Sequence, residues 1–148
     1  MIDNWYLVDN NALSALGRHR RSTEFFRAHC RIPDEVLYEA REFPDIAELR
    51  ALRYEEGPDV ARRVILQLIS VMRTVPTSDT DLVDLYANKG NADPIIVACA
   101  LDAKSQEECT LMPATWTIVS DDRAVRTKAG EFEVAVLTGE EFKTIVDT

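Results

Sequence analysis

Apolar positions along this chain fall into two kinds of run. Trp5-Tyr6-Leu7-Val8 and Trp116-Thr117-Ile118-Val119 are short, rich in strand-forming residues, and end abruptly at Asp9 and at Ser120-Asp121-Asp122. A third such run, Phe132 to Leu137, ends at Thr138. The first run is apolar at every position, which suits a parallel strand covered by helices on both faces. Between these runs the apolar spacing turns helical. Asn11 to Leu16 predicts a short helix closed by Gly17, and Ser22 to Ala28 predicts a second. Cys30-Arg31-Ile32 reads as a short strand, and Pro33 as the first residue of a helix running to Glu39.

Further along, Asp45 to Tyr54 is weakly amphipathic, and Asp59 to Arg73 is strongly so. The latter carries Val60, Val64, Leu68 and Val71 on one face. Ile65, Leu66, Ile69 and Met72 widen that face, which could cover the sheet or make a helix-to-helix dimer contact, and internal burial is the expectation for them. Ser78 or Asp79 predicts a cap for a helix reaching Ala87. Asp93 and Pro94 open the most apolar helix, Ile95 to Leu101, followed by a polar loop over Lys104 to Met112. Arg123 to Ala129, closed by Gly130, and Gly139 to Val146, capped by Thr138, complete the set. Strands alternating with helices indicate an α/β fold with a parallel sheet, in one domain spanning 1–148.

Composition narrows the class. With 46% hydrophobic and 29% charged residues in 148, the chain is an ordinary globular one, and no apolar run reaches a bilayer span. The first residues carry no basic region ahead of the apolar stretch, so a signal peptide is not expected and a cytoplasmic location is. Cys30, Cys99 and Cys109 are odd in number and widely spaced, which suits free thiols in a reducing compartment. His19 and His29 are too few for a histidine metal cage. The net charge of −9 is uneven, about −1 over 1–73 and −8 over 74–148. Such a balance opposes indiscriminate phosphate binding, and it accommodates a carboxylate pocket holding a divalent cation, or a basic protein partner.

Candidate chemistry gathers on carboxylates. In open α/β sheets ligands sit beyond the carboxyl ends of the strands, and Asp9 and Asp122 (or Asp121) follow strands there. Asp93 starts the apolar helix, and Glu39, with Glu35 one turn before it, ends an early one. Taken singly, Asp9 could be no more than a helix cap. Together, several carboxylates at one edge must either protonate or bind a cation, and oxygen-only ligands select Mg²⁺ or Mn²⁺. Hydrolysis of a phosphodiester is the reaction such a site favours. Asn11 and Ser120 are placed to hold water or a phosphate oxygen. Arg18, Arg20 and Arg21 form the densest basic stretch, a candidate phosphate-steering patch, with Arg123 a further candidate.

Five segments in order, LVDNNALSAL (7–16), IPDEVLYEA (32–40), NADPIIVACAL (91–101), IVSDDRAV (118–125) and VAVLTGEEF (134–142), resemble a PIN domain, and most closely the VapC-type ribonuclease toxins. The resemblance implies a three-layer α/β/α fold with a mostly parallel sheet. It implies that Asp9, Glu39, Asp93 and Asp122 form an acidic metal site, with Ser120 and Asp122 matching the family's Ser/Thr-x-Asp pattern. Further implications are Mg²⁺-dependent RNA cleavage, a homodimer, and inhibition by a small antitoxin protein. Two departures stand out: Asn10 replaces the usual Thr or Ser after the first Asp, and the Asp121-Asp122 doublet leaves the register of the last ligand open. Three rivals stand beside it, of which a receiver-type signalling domain wants a phospho-acceptor Asp ending a middle strand and a Lys after a late one, and this chain offers neither. A phosphatase of the haloacid-dehalogenase type wants Asp-x-Asp where this chain has Asn11, and a Lys before its later acidic pair. A PIN-like binding module that does not cut would be expected to have lost acidic residues.

Overall fold

The structure, a computed structural model, describes residues 3–74 and 92–148, with the side chains of residues 92 and 93 outside that description. The helix expected before Ala87 falls outside the described residues. Four strands, β1 (Asn4–Val8), β2 (Cys30–Arg31), β3 (Thr115–Val119) and β4 (Ala135–Leu137), form an all-parallel sheet in the order β2-β1-β3-β4. Among the described residues there are eight helices: α1 (Asn10–Arg21), α2 (Glu24–His29), α3 (Asp34–Glu39), α4 (Ile46–Arg50), α5 (Pro58–Arg73), α6 (Ala92–Glu107), α7 (Arg123–Glu131) and α8 (Gly139–Val146).

Alternation along the strands divides the core in two. Tyr6 and Val8 of β1 and Val119 of β3 pack with Leu13, Leu16, Phe26, Val36, Leu49 and Phe142, from α1 to α4 and α8. Leu7 and Ile118 face the other way, onto Val64 and Val71 of α5, Ile96 to Ala100 of α6, and Val125 and Ala129 of α7. Successive strand residues point to opposite faces, so a fully apolar strand demands a helical layer on each side. The result is an α/β/α sandwich.

Several element boundaries depart from the sequence expectation, each for a visible reason. Gly17 breaks helical geometry at φ 80 and ψ 160, but the chain resumes beyond it, so α1 reaches Arg21. The helix expected over Asp45 to Tyr54 stops at Arg50, because the backbone beyond joins the sheet edge: Ile32 N donates to Leu52 O, and Tyr54 N to Ile32 O, both at 2.9 Å. Where a polar loop was expected from Lys104, α6 continues to Glu107. Asp102 there is buried, accepting from the Tyr54 hydroxyl at 2.7 Å and Arg63 Nε at 2.8 Å, so its polarity marks an internal network. On α5 only Val64 and Val71 are fully buried; Ile65, Leu66 and Ile69 stand exposed, contrary to the burial expected for the wide face. No helix among the described residues is long and apolar enough to cross a membrane.

Candidate functional site

Strand order creates the site before any side chain is considered. From β1 the chain turns outward to β2, and from β3 it turns the opposite way to β4. The helices that follow diverge as well, α1 packing on one face of the sheet and α7 on the other. A crevice opens where neighbouring strands send their connections in opposite directions, and ligands of open α/β sheets bind there. Asp9 and the Ser120-Asp121-Asp122 turn are the residues that flank it. Their backbones are joined, Asp9 N donating to Val119 O at 3.2 Å, while Ser120 N donates to Leu137 O at 2.9 Å.

Asp9 caps α1, its Oδ1 accepting from Ala12 N at 2.8 Å, as the plain reading of this residue requires. It is also buried, with 6% of its surface exposed, which capping does not require. Burial pushes its carboxyl above the ordinary value of 3.8; hydrogen bonds from Ser120 and Ala12 N–H pull it down, and the charges of Asp121 and Asp122 push it up again. Glu39, half-buried at the end of α3, is likewise raised, first by burial, then by Asp9 and Glu35. Asp9 is thus electrostatically coupled to three other carboxylates drawn from α3 and the β3–α7 turn.

The doublet divides its duties. Asp122 caps α7, its Oδ1 accepting from Ala124 N at 2.8 Å and Val125 N at 3.3 Å, while its own N–H donates to Ser120 Oγ at 3.1 Å. Asp121 Oδ1 accepts from Gly139 N at 3.1 Å, tying the turn to the start of α8. A Cβ on Gly139 would stand 3.0 Å from Asp121 Oδ2, so only glycine allows this approach without displacing the carboxylate. Asp121 therefore braces the turn, and Asp122 keeps one oxygen outside the cap.

The remaining candidates are placed unevenly. Asn11 is exposed in the first turn of α1, and Arg123 is exposed in the first turn of α7, both beside the crevice. The backbone of Asp93 lies in the first turn of α6, and its side chain is outside the description. Arg18, Arg20 and Arg21 sit at the far end of α1, beyond the break at Gly17. Arg20 pairs with Asp147. Arg21 is buried, donating to both oxygens of Asp45 at 2.8 and 3.0 Å and to Leu13 O at 2.7 Å. Arg20 and Arg21 thus tie elements together, whereas Arg18 stands exposed.

Asn10, next to Asp9, stood out in the sequence only as a departure from the pattern of the family that the chain resembles. Among the described residues, Asn10 Oδ1 alone is a buried side-chain oxygen or nitrogen without a hydrogen-bond partner. Such an oxygen is costly unless something supplies a donor or a positive charge. Asp9, its neighbour in sequence, has a raised carboxyl, and oxygen donors of this kind suit a hard divalent cation. Among the described residues no three His, Cys, Asp or Glu side chains are drawn together closely enough to hold a metal by themselves. No protein-family model matches the chain, and no curated protein matches it in sequence.

Proposed function

We propose that this protein is a Mg²⁺- or Mn²⁺-dependent endoribonuclease of the PIN-domain kind, acting in the cytoplasm as the toxin of a toxin–antitoxin pair. The observation that carries the reading is Asp9, buried at the carboxyl end of β1 beside β3 and raised by burial and by Asp121 and Asp122. A nuclease needs charge held ready where a phosphate will arrive, and buried carboxylates in mutual repulsion favour a cation at that spot.

Asp9, Asp93 and Asp122 would hold the cation, with Asp121 the alternative ligand. When bound, it supplies positive charge against the negative charge that grows on the phosphate oxygens. Glu39 keeps a carboxyl raised above its ordinary value at the same rim, which suits accepting a proton from the attacking water. Ser120 holds Asp9 in place, and Asn11 and Arg123 stand exposed where they can contact the phosphate. A homodimer and a small inhibitory antitoxin belong to the same proposal.

The test is cleavage of single-stranded RNA by purified protein with Mg²⁺. EDTA should stop it, and Asp9→Asn should slow it at least about a hundredfold, since several kcal/mol of charge stabilisation are lost at roughly tenfold per 1.4 kcal/mol. Cleavage that survives both treatments contradicts the proposal.

A further inference from the structure

Helix α3 presents a second face next to the one that carries Glu39. There Asp34, Leu37, Tyr38 and Arg41, with Arg50 and Arg53 from the α4 end, line an open hollow of about 580 Å³. The size lies within the range of small-ligand sites. Its charge runs against the rest of the molecule: three arginines face one carboxylate in a chain of net charge −9. That carboxylate, Asp34, is occupied by Arg53, which donates to both its oxygens at 2.7 and 3.0 Å. Among the described residues neither Arg41 nor Arg50 has an ion-pair partner, and both are exposed.

Tyr38 gives the hollow an aromatic plane. It is 62% exposed, the most exposed aromatic ring among the large exposed hydrophobic side chains, and the Arg41 guanidinium lies 4.2 Å from its ring centroid. Leu37 below it is buried and anchors the helix to the core. Arg41 lies over the Tyr38 ring and donates Nη1–H to Tyr38 O at 2.8 Å; its other guanidinium N–H groups, and those of Arg50, have no side-chain hydrogen-bond partner among the described residues, which suits phosphate oxygens. Aromatic planes and arginine forks in one groove are the means by which proteins hold unpaired nucleotides.

We infer that this hollow holds a nucleotide of the single-stranded RNA next to the bond that is cut, its base stacked at Tyr38 and its phosphates met by Arg50 and Arg41. The inference rests on the ribonuclease reading, and it adds what that reading lacks, a cationic track beside an acidic rim. Tyr38 and Glu39 are consecutive in α3, which puts the hollow and the acidic rim on adjacent faces of one short helix. The geometry also favours single strands, because a base inside a duplex cannot reach an aromatic ring on a helix.

The experiment measures binding of a fluorescent single-stranded oligoribonucleotide in EDTA, where cleavage plays no part. Tyr38→Ala should weaken binding about tenfold, while Tyr38→Phe should leave it unchanged. Arg50→Glu should weaken it about tenfold and flatten its salt dependence. Both side chains are exposed, so circular dichroism and Tm should match the parent. Equal affinity in the parent and in Tyr38→Ala and Arg50→Glu overturns the inference, as does equal binding of duplex RNA. So does tighter binding of a poly-glutamate peptide lost in the same variants, which would assign the hollow to a protein partner. Failure of the nuclease reading shows separately, as absent cleavage by the parent protein with Mg²⁺.

Discussion

Asp9 carries two duties that conflict, and the conflict is measurable. Its Oδ1 caps α1, which favours the charged form, while burial and the neighbouring Asp121 and Asp122 disfavour it, and the net effect is a raised carboxyl. In the folded protein the proton is therefore held to higher pH than in the unfolded chain. Between the ordinary value of 3.8 and the raised one, the folded state binds more protons, so stability falls as pH rises through that window. Glu39 acts in the same direction from its ordinary value of 4.5. Asp9→Asn keeps the oxygen that accepts from Ala12 N and removes the charge. Thermal unfolding in EDTA should show the variant with a higher Tm than the parent at pH 8, the gap closing as pH falls toward 4. A gap that does not change with pH would mean that the Asp9 charge is not the source of the strain.

Between elements, the buried pair of Arg21 and Asp45 ties the end of α1 to the start of α4. Arg21 holds the Asp45 carboxyl below its ordinary value, so the stability it lends is present above about pH 4 and lost as pH falls through the lowered value. Replacing Arg21 by Met leaves a buried carboxylate without its partner and should cost about 3–5 kcal/mol in urea denaturation. The double variant Arg21→Met, Asp45→Leu should recover most of that, and a single variant costing under about 1 kcal/mol would contradict the account. This pair also marks where the sequence is silent: nothing in Arg18-His19-Arg20-Arg21 distinguishes a buried arginine from a solvated one. Continuous apolar runs made β1 and β3 legible and helical spacing made α5 and α8 legible, because burial dictates such patterns, although on α5 the spacing overstated the burial. The α4 and α6 boundaries were hidden, because they depend on partners distant in sequence, Ile32 for the segment after Arg50 and Tyr54 with Arg63 for Asp102. At the site, Asp9, Ser120 and Asp122 were legible as residues ending strands, whereas the role of Gly139 depends on a carboxylate eighteen positions earlier.

Across the whole molecule, one topological fact organises the candidate site. The sheet order β2-β1-β3-β4 reverses the direction of chain travel between its two central strands, and the acidic residues stand at that reversal. Helical layers bury both faces of the sheet, which leaves its edges and loops for chemistry. An acidic rim repels the RNA it is proposed to cut, so a cation must make up the charge, helped by the arginine-lined hollow beside α3. Binding of that cation is the central claim, and calorimetric titration of Mn²⁺ tests it most directly. The parent protein should bind the ion with a saturable heat, and Asp9→Asn, folded by circular dichroism, should lose that heat or weaken the affinity at least about tenfold, as removal of a charged ligand requires. Mn²⁺ binding that is equally tight in both proteins, or absent from the parent, would contradict the account.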